Sequence, residues 1–273
     1  MILDDIALAT RKRIEAKKKK ISFEEIKKMA MEIAKTETEF TFPFEQEIAK
    51  SDISFICEVK RASPSKGLIA KEFPYLEIAT EYEKASADCI SVLTEPEYFK
   101  GNDCYLKEIS QRIRVPIIRK DFVIDEYMIY EAKVLGASCV LLIVALLDES
   151  TLRRYIEICD KLGLSALVEV HDEKEITSAM NAKARLIGVN NRDLRDFTVD
   201  IQNSIRLRDK IPSDILFVAE SGIKTAEDVR ILREHNVNGV LIGETLMRST
   251  DKKALLVELR GKEGASEGSK AWQ

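Results

Sequence analysis

The chain has 273 residues, Lys+Arg 43 against Asp+Glu 47 for a net charge of −4, and 45% hydrophobic residues. That composition supports a sizeable core and excludes a mainly disordered chain, while the near balance of charge argues against a protein built to grip nucleic acid. The length fits either two average domains or one (β/α)8 barrel of about 250 residues.

In chain order, residues 1–50 read as helical with a break at Pro43. They are too few for a domain and are expected to form an extension packed on the body that follows. Within them Arg11 to Lys20 (RKRIEAKKKK) is strongly basic and reads as a solvated helix face. The opening MILDDIALAT carries acids where an export signal needs a positive start.

Eight short β-rich runs then follow: SFICEVK from Ser54, DCISVLT from Asp88, VPIIRKDF from Val115, SCVLLIV from Ser138, LSALVEV from Leu164, LIGVNN from Leu186, ILFVAES from Ile215 and NGVLIG from Asn238. Each has the length and Val/Ile content of a strand buried on both faces. Their starts are 34, 27, 23, 26, 22, 29 and 23 residues apart, room each time for one helix and two loops. Helical spacing fills several gaps, as in DEYMIYEAKVLGA, DESTLRRYIEICDKLG and TAEDVRILREHN. Thr225 and Asp228 form a plausible capping box, and Gly136 and Gly163 sit where helices should end.

Strand alternating with helix predicts a parallel sheet, and eight units predict a closed (β/α)8 TIM barrel rather than an open doubly wound sheet. A G-x-G-x-x-G after the first strand is absent. The predicted organisation is one barrel domain over 1–273, with 1–50 as an N-terminal helical extension and 261–273 as a flexible tail. No run approaches the roughly 20 apolar residues of a membrane span. Five cysteines without a C-x-x-C pair, and only His171 and His235, predict a reduced, cytoplasmic protein with no metal site.

Chemistry on such a barrel sits where strands end. The apolar runs close on Glu58 and Lys60, on Thr94 and Glu95, on Lys120 and Phe122, on Glu169, on Asn190, on Glu220-Ser221-Gly222 and on Gly243; only the fourth ends apolar. Residues two apart share a strand face, so Glu58 pairs with Lys60 and Lys120 with Phe122. Two lysines and two glutamates converging on one mouth predict either an ion-pair plug or a tuned acid/base set, and the glycine loops beside them favour the second. Ser221-Gly222 and Gly243, after strands seven and eight, lie where barrels of this kind hold phosphate. Ser63 to Gly67 (SPSKG) adds hydroxyls and a cation to the same rim, and Arg192 is a further candidate anion partner.

These motifs resemble the indole-3-glycerol phosphate synthase family. The resemblance rests on EVKRASPSKG (Glu58 to Gly67), SVLTE (Ser91 to Glu95), RKDF (Arg119 to Phe122), VEVH (Val168 to His171), IGVNNRDL (Ile187 to Leu194), AESGI (Ala219 to Ile223) and LIGETLM (Leu241 to Met247). The family implies a cofactor-free and metal-free barrel that converts 1-(2-carboxyphenylamino)-1-deoxyribulose 5-phosphate to indole-3-glycerol phosphate, with loss of CO₂ and water, in tryptophan biosynthesis. It implies Lys120 as the acid that polarises the ribulose carbonyl and Lys60 as the cation beside the carboxylate. Either lysine is a candidate to protonate the departing hydroxyl. Glu58 and Glu169 are implied as the carboxylates that steady charge on nitrogen and move protons. Asn190 and Ser63 would hold polar groups of the substrate, and Phe99, Phe122, Leu141 and Leu194 would wall its ring. Ser221, Gly222, Gly243 and Glu244 would form the phosphate site. Glu244 stands where some members carry serine, so only its backbone N–H is expected to contribute. The implied partner is a small phosphorylated substrate, with no nucleic acid and no membrane.

Overall fold

The structure, a computed structural model, describes residues 2–37, 39–193 and 197–261. Eight strands form a closed parallel barrel: β1 (Ser54–Val59), β2 (Cys89–Leu93), β3 (Ile117–Lys120), β4 (Cys139–Ile143), β5 (Ser165–Val170), β6 (Leu186–Asn190), β7 (Leu216–Glu220) and β8 (Gly239–Ile242). Closure comes from β1, whose Ile56 lies beside Cys89 of β2 on one side and Leu241 of β8 on the other. A small antiparallel hairpin, Ala62–Ser63 with Gly67–Leu68, follows β1.

The helices are α1 (Ile2–Lys18), α2 (Phe23–Lys35), α3 (Pro43–Ile48), α4 (Tyr75–Lys84), α5 (Asp103–Arg112), α6 (Glu126–Val134), α7 (Glu149–Lys161), α8 (Glu173–Asn181), α9 (Gln202–Arg208), α10 (Ala226–Glu234), α11 (Glu244–Arg248) and α12 (Lys252–Arg260). Most start at a side-chain cap. Asp125, Asp148 and Asp172 accept backbone N–H groups at α6, α7 and α8, and Thr225 with Asp228 closes the expected capping box on α10. Gly136 and Gly163 follow α6 and α7 with φ of 88° and 65°, the left-handed turn that lets the chain leave a helix.

The period of two along each strand sorts its side chains between two cores. Outward residues such as Phe55, Cys57, Val168 and Phe217 pack against the helices. Inward residues Ile56, Cys89, Ile118, Cys139, Leu167, Leu186, Val218 and Leu241 fill the barrel's lower interior. Phe44 and Ile48 of α3 join this inner core and are fully buried, so α3 plugs the N-terminal end of the barrel. Burying a side chain of Phe44's size contributes about 2–3 kcal/mol.

Two expectations for the extension are corrected. Pro43 does not interrupt a helix but opens one, at the first helical position where its missing N–H is no loss. The basic stretch is only partly a solvated face. Arg11, Lys12, Lys19 and Lys20 are exposed, but Arg13 pairs with Asp121 at 2.7 Å, Lys18 with Asp125 at 2.6 Å, and Lys17 with Glu131 at 2.7 Å and with Asp103. The physical reason is a set of acids around the end of β3 that also surrounds the fully buried Arg119, which bonds Glu131 and Asp103 at 2.8 Å each. Cations on α1 complete the neutralisation of that cluster, and α1 is thereby fastened across the upper rim. Gly261 caps α12 at φ 68°, and the rest of the expected tail, 262–273, lies outside the described residues.

Candidate active site

Continuing the inward ladder of each strand toward its C-terminal end changes its chemistry. Ile56 leads to Glu58 and Lys60, Ile118 to Lys120 and Phe122, Leu167 to Glu169 and His171, Leu186 to Gly188 and Asn190, and Val218 to Glu220. All of these upper positions except His171 and Gly188 line a cavity of about 610 Å³. Its lining includes all the expected site residues among those described: Glu58, Lys60, Ser63, Phe99, Lys120, Phe122, Leu141, Glu169, Asn190, Arg192, Ser221, Gly222, Gly243 and Glu244. Leu194 lies outside the described residues.

The ionisable groups are paired and yet face the cavity. Lys60 meets Glu58 Oε2 at 2.5 Å, and the other oxygen of Glu58 accepts from Ser91 Oγ at 3.4 Å. Lys120 reaches Glu169 Oε2 at 3.2 Å and bonds Glu220 Oε2. Burial alone would strip Lys120 of its proton, but Glu220, Glu169 and Glu58 outweigh it and hold the ammonium protonated well beyond the physiological range. Burial likewise pushes Glu169 upward, and Lys120, His171 and a hydrogen bond from Asn190 reverse this and keep its carboxyl below the usual range.

Glu220 behaves in the opposite way. Burial and the neighbouring Glu169 overcome the pull of Lys120 and raise its carboxyl to about 7. Its Oε1 is enclosed without a hydrogen-bond partner. Sequence reasoning noted Glu220 only as the end of a strand and drew the function from the adjacent Ser221-Gly222. The signal that would have found it is the ladder itself, since Glu220 occupies on β7 the place that Glu169 occupies on β5. Two glycines make room for this charged layer. A side chain at Gly188 would run into Glu220, and one at Gly243 would run into Glu58 and Lys60.

The rest of the mouth divides into an apolar wall and a cationic rim. Phe99 and Phe122 stand with ring centroids 5.8 Å apart, near Leu141. Ile2, Leu3 and Ile6 of α1 extend the wall, a contribution that sequence reasoning did not assign. Glu95 does not face the cavity; its carboxylate accepts the backbone N–H groups of Glu97, Tyr98 and Phe99 at 2.7–2.9 Å and so shapes the loop that carries Phe99. Thr94 likewise turns to Asp121, donating its hydroxyl at 2.6 Å. Ser63 lies in the hairpin after β1, and Lys66 of the same loop reaches the rim. Arg192 lines the cavity and donates to Phe197 O at 3.3 Å. Ser221 and Gly222 take φ of 68° and 85° at the turn after β7. The side chain of Glu244 is engaged at this rim. Arg248 donates to it at 3.0 Å, and Lys66 lies 3.9 Å away. Cations on either side thus offset its negative charge at the rim.

Among the described residues, no group of three His, Cys, Asp or Glu side chains is placed to hold a metal ion, and no helix is long and apolar enough to cross a membrane.

A closed parallel barrel with its charged groups gathered where the strands end defines an enzyme of the (β/α)8 class. The profile of the indole-3-glycerol phosphate synthase family matches residues 3–259. The indole-3-glycerol phosphate synthase of Ruminiclostridium cellulolyticum is 56% identical over 96% of this chain and 99% of its own length. That of Lachnoclostridium phytofermentans is 48% identical over 95% and 99%. The chain belongs to the indole-3-glycerol phosphate synthase family, and is a carboxy-lyase of tryptophan biosynthesis. A crystal structure of 3-hexulose-6-phosphate synthase superposes with a TM-score of 0.62 at 15% identity, covering 77% of this chain and 99% of that one, a likeness of fold alone.

Proposed function

We propose that the residues of the mouth divide the ring closure of 1-(2-carboxyphenylamino)-1-deoxyribulose 5-phosphate between them. The aromatic carbon that bears the carboxylate attacks the ribulose carbonyl. Lys120 polarises that carbonyl and supports the oxyanion that forms, while Lys60 holds the departing carboxylate until CO₂ is lost. Glu58 and Glu169 steady the positive charge that develops on nitrogen. Proton movement toward the hydroxyl that leaves as water falls to the lysines and their partner carboxylates. Glu220 suits this last task, because a carboxyl titrating at about 7 both gives and takes a proton near neutrality. The apolar wall of Phe99, Phe122 and Leu141 takes the anthranilate ring, and Asn190 and Ser63 take polar groups of the substrate. Ser221, Gly222 and Gly243, with the N–H of Glu244, take the phosphate, aided by Arg192. Cytoplasmic action on one small phosphorylated molecule, without nucleic acid or membrane, completes the reading. The buried free thiols of Cys57, Cys89, Cys139 and Cys159 accord with a reducing compartment.

The observation that carries this reading is Lys120, a buried ammonium kept charged by carboxylates on three different strands and open to a cavity with an aromatic wall. Purified protein mixed with the substrate in EDTA is expected to produce indole fluorescence in proportion to protein. Lys120→Met is expected to lower turnover about 10³-fold or more, the scale of a lost acid, while quenching of the substrate's anthranilate emission still reports binding. Near-normal turnover in that variant sinks the assignment of Lys120. Failure of the unaltered protein to produce the signal in EDTA, with activity restored by a divalent cation, sinks metal independence.

A further inference from the structure

The geometry points to His171 as a positioning residue for this reaction: an imidazolium clamped between Glu175 and Glu169, which keeps Glu169 ionised and aimed at Lys120. The inference rests on the role given to Glu169 above. His171 follows β5 and continues its inward ladder one step beyond Glu169. Its backbone is fixed on two sides, with the N–H donating to Glu175 Oε2 at 2.7 Å and the carbonyl accepting from Asn203 Nδ2 at 3.3 Å. Its ring is held by the same Glu175 oxygen, 3.0 Å from Nδ1.

That contact assigns a proton to Nδ1, since a carboxylate only accepts. The opposite nitrogen, Nε2, is enclosed, has no hydrogen-bond partner and faces Glu169 Oε1 at 3.5 Å. A neutral ring would turn a lone pair toward that carboxylate, whereas a protonated ring turns an N–H toward it. The charged groups that bear on the imidazole from the packed elements are Glu169 on β5, Glu175 on α8 and Glu220 on β7, all acidic, while Asn203 on α9 is uncharged. Against the cost of burial they raise the ring's titration to about 9.

The two oxygens of Glu169 are thus divided, Oε2 on Lys120 and Oε1 facing His171. A carboxylate so bracketed cannot rotate freely, and it stays ionised despite its burial and its nearness to Glu220. Without the imidazolium, only Lys120 and the hydrogen bond from Asn190 would oppose the cost of burying that charge.

The test is the pH dependence of kcat and KM for the unaltered enzyme, His171→Asn, Glu175→Gln and Glu169→Gln, together with ring-proton NMR of the chain's two histidines. Asparagine keeps a donor for Glu175 but carries no charge. His171→Asn is expected to move the acid limb of kcat upward by about one pH unit, the scale of one lost neighbouring charge. It should also lower kcat at neutral pH about tenfold with KM within about twofold, because the group it positions acts on the reaction rather than on affinity. Glu175→Gln should bring the His171 resonance from about 9 to near its ordinary value of about 6.5. The kcat of that variant should then fall across the range in which its imidazole loses its proton.

An acid limb that stays in place in His171→Asn overturns the inference, and so does a His171 resonance that titrates near 6.5 in the unaltered enzyme. Should His171→Asn fail to fold, Glu175→Gln and the NMR titration decide alone. Retention of full turnover by Glu169→Gln would instead remove the reading of Glu169 on which the inference stands. Loss of activity in Glu169→Gln with an unmoved limb in His171→Asn would remove the positioning role only.

Discussion

The two ends of the barrel interior are built on the same inward ladders and differ in what those ladders carry. At the lower end Ile56, Ile118, Leu167 and Val218 meet Phe44 and Ile48 of α3, and the space is filled by apolar side chains. One step higher the same strands present Glu58, Lys120, Glu169 and Glu220, and the space is left as a cavity. A buried hydrocarbon stabilises the fold wherever it packs, whereas a buried carboxylate stabilises it only as far as its partners offset desolvation. The lower end therefore holds the molecule together, and the upper end sits under electrostatic strain that serves the chemistry.

The contrast is broken most forcefully from below. Phe44→Ala should cost about 3–5 kcal/mol of stability, as large-to-small changes in a closed core do. Urea unfolding followed by circular dichroism would measure this, and the fraction that remains folded should keep its kcat. A loss of kcat in that folded fraction would mean that the plug also shapes the mouth.

Glu220→Gln should do the reverse. The folded carboxyl holds its proton up to about 7, higher than in the unfolded chain. It therefore favours the native state fully below the unfolded value of about 4.3 and loses that contribution as the pH rises to its folded value. The amide should thus be more stable than the parent by about 2–3 kcal/mol above pH 7, with no gain near pH 4, while turnover falls about tenfold or more. Urea midpoints at the two pH values check the sign; equal midpoints would mean that Glu220 is not strained.

The smallest effect belongs to the rim. Removing the Glu244 carboxylate, as in Glu244→Ser, should free Arg248 and Lys66 for the phosphate. KM should fall about two- to fivefold with kcat unchanged, the scale of one partly exposed charge contact, and the gain should fade at high salt. A raised KM would mean that the carboxylate helps to build the rim.

Much of this contrast was legible in the sequence, because period two and strand ends are local patterns. Glu58 with Lys60 and Lys120 with Phe122 were placed on shared faces by spacing alone, and Thr225 with Asp228 by a capping pattern four residues long. What escaped depends on contacts made elsewhere. A proline halts a helix before it and starts one after it with equal ease, so Pro43 gave no hint that Phe44 and Ile48 plug a barrel. The acids that claim Arg13 and Lys17 lie 86 to 114 positions away in the chain. Glu95 ends an apolar run as Glu169 does, but three backbone donors turn it away from the cavity, and donors of that kind carry no side-chain signature.

The fastening of α1 also orders the molecule in time. Ile2, Leu3 and Ile6 leave the ribosome well ahead of the acids that hold their helix, since Asp121 and Glu131 are 108 and 114 residues behind Arg13 and Lys17. At about 5–20 residues per second, translation takes about 5–20 s to deliver those acids. The strands that close the barrel are made later still. Helix α1 is thus made well before it can dock, and the apolar wall that Ile2, Leu3 and Ile6 add to the cavity waits on the body beneath it.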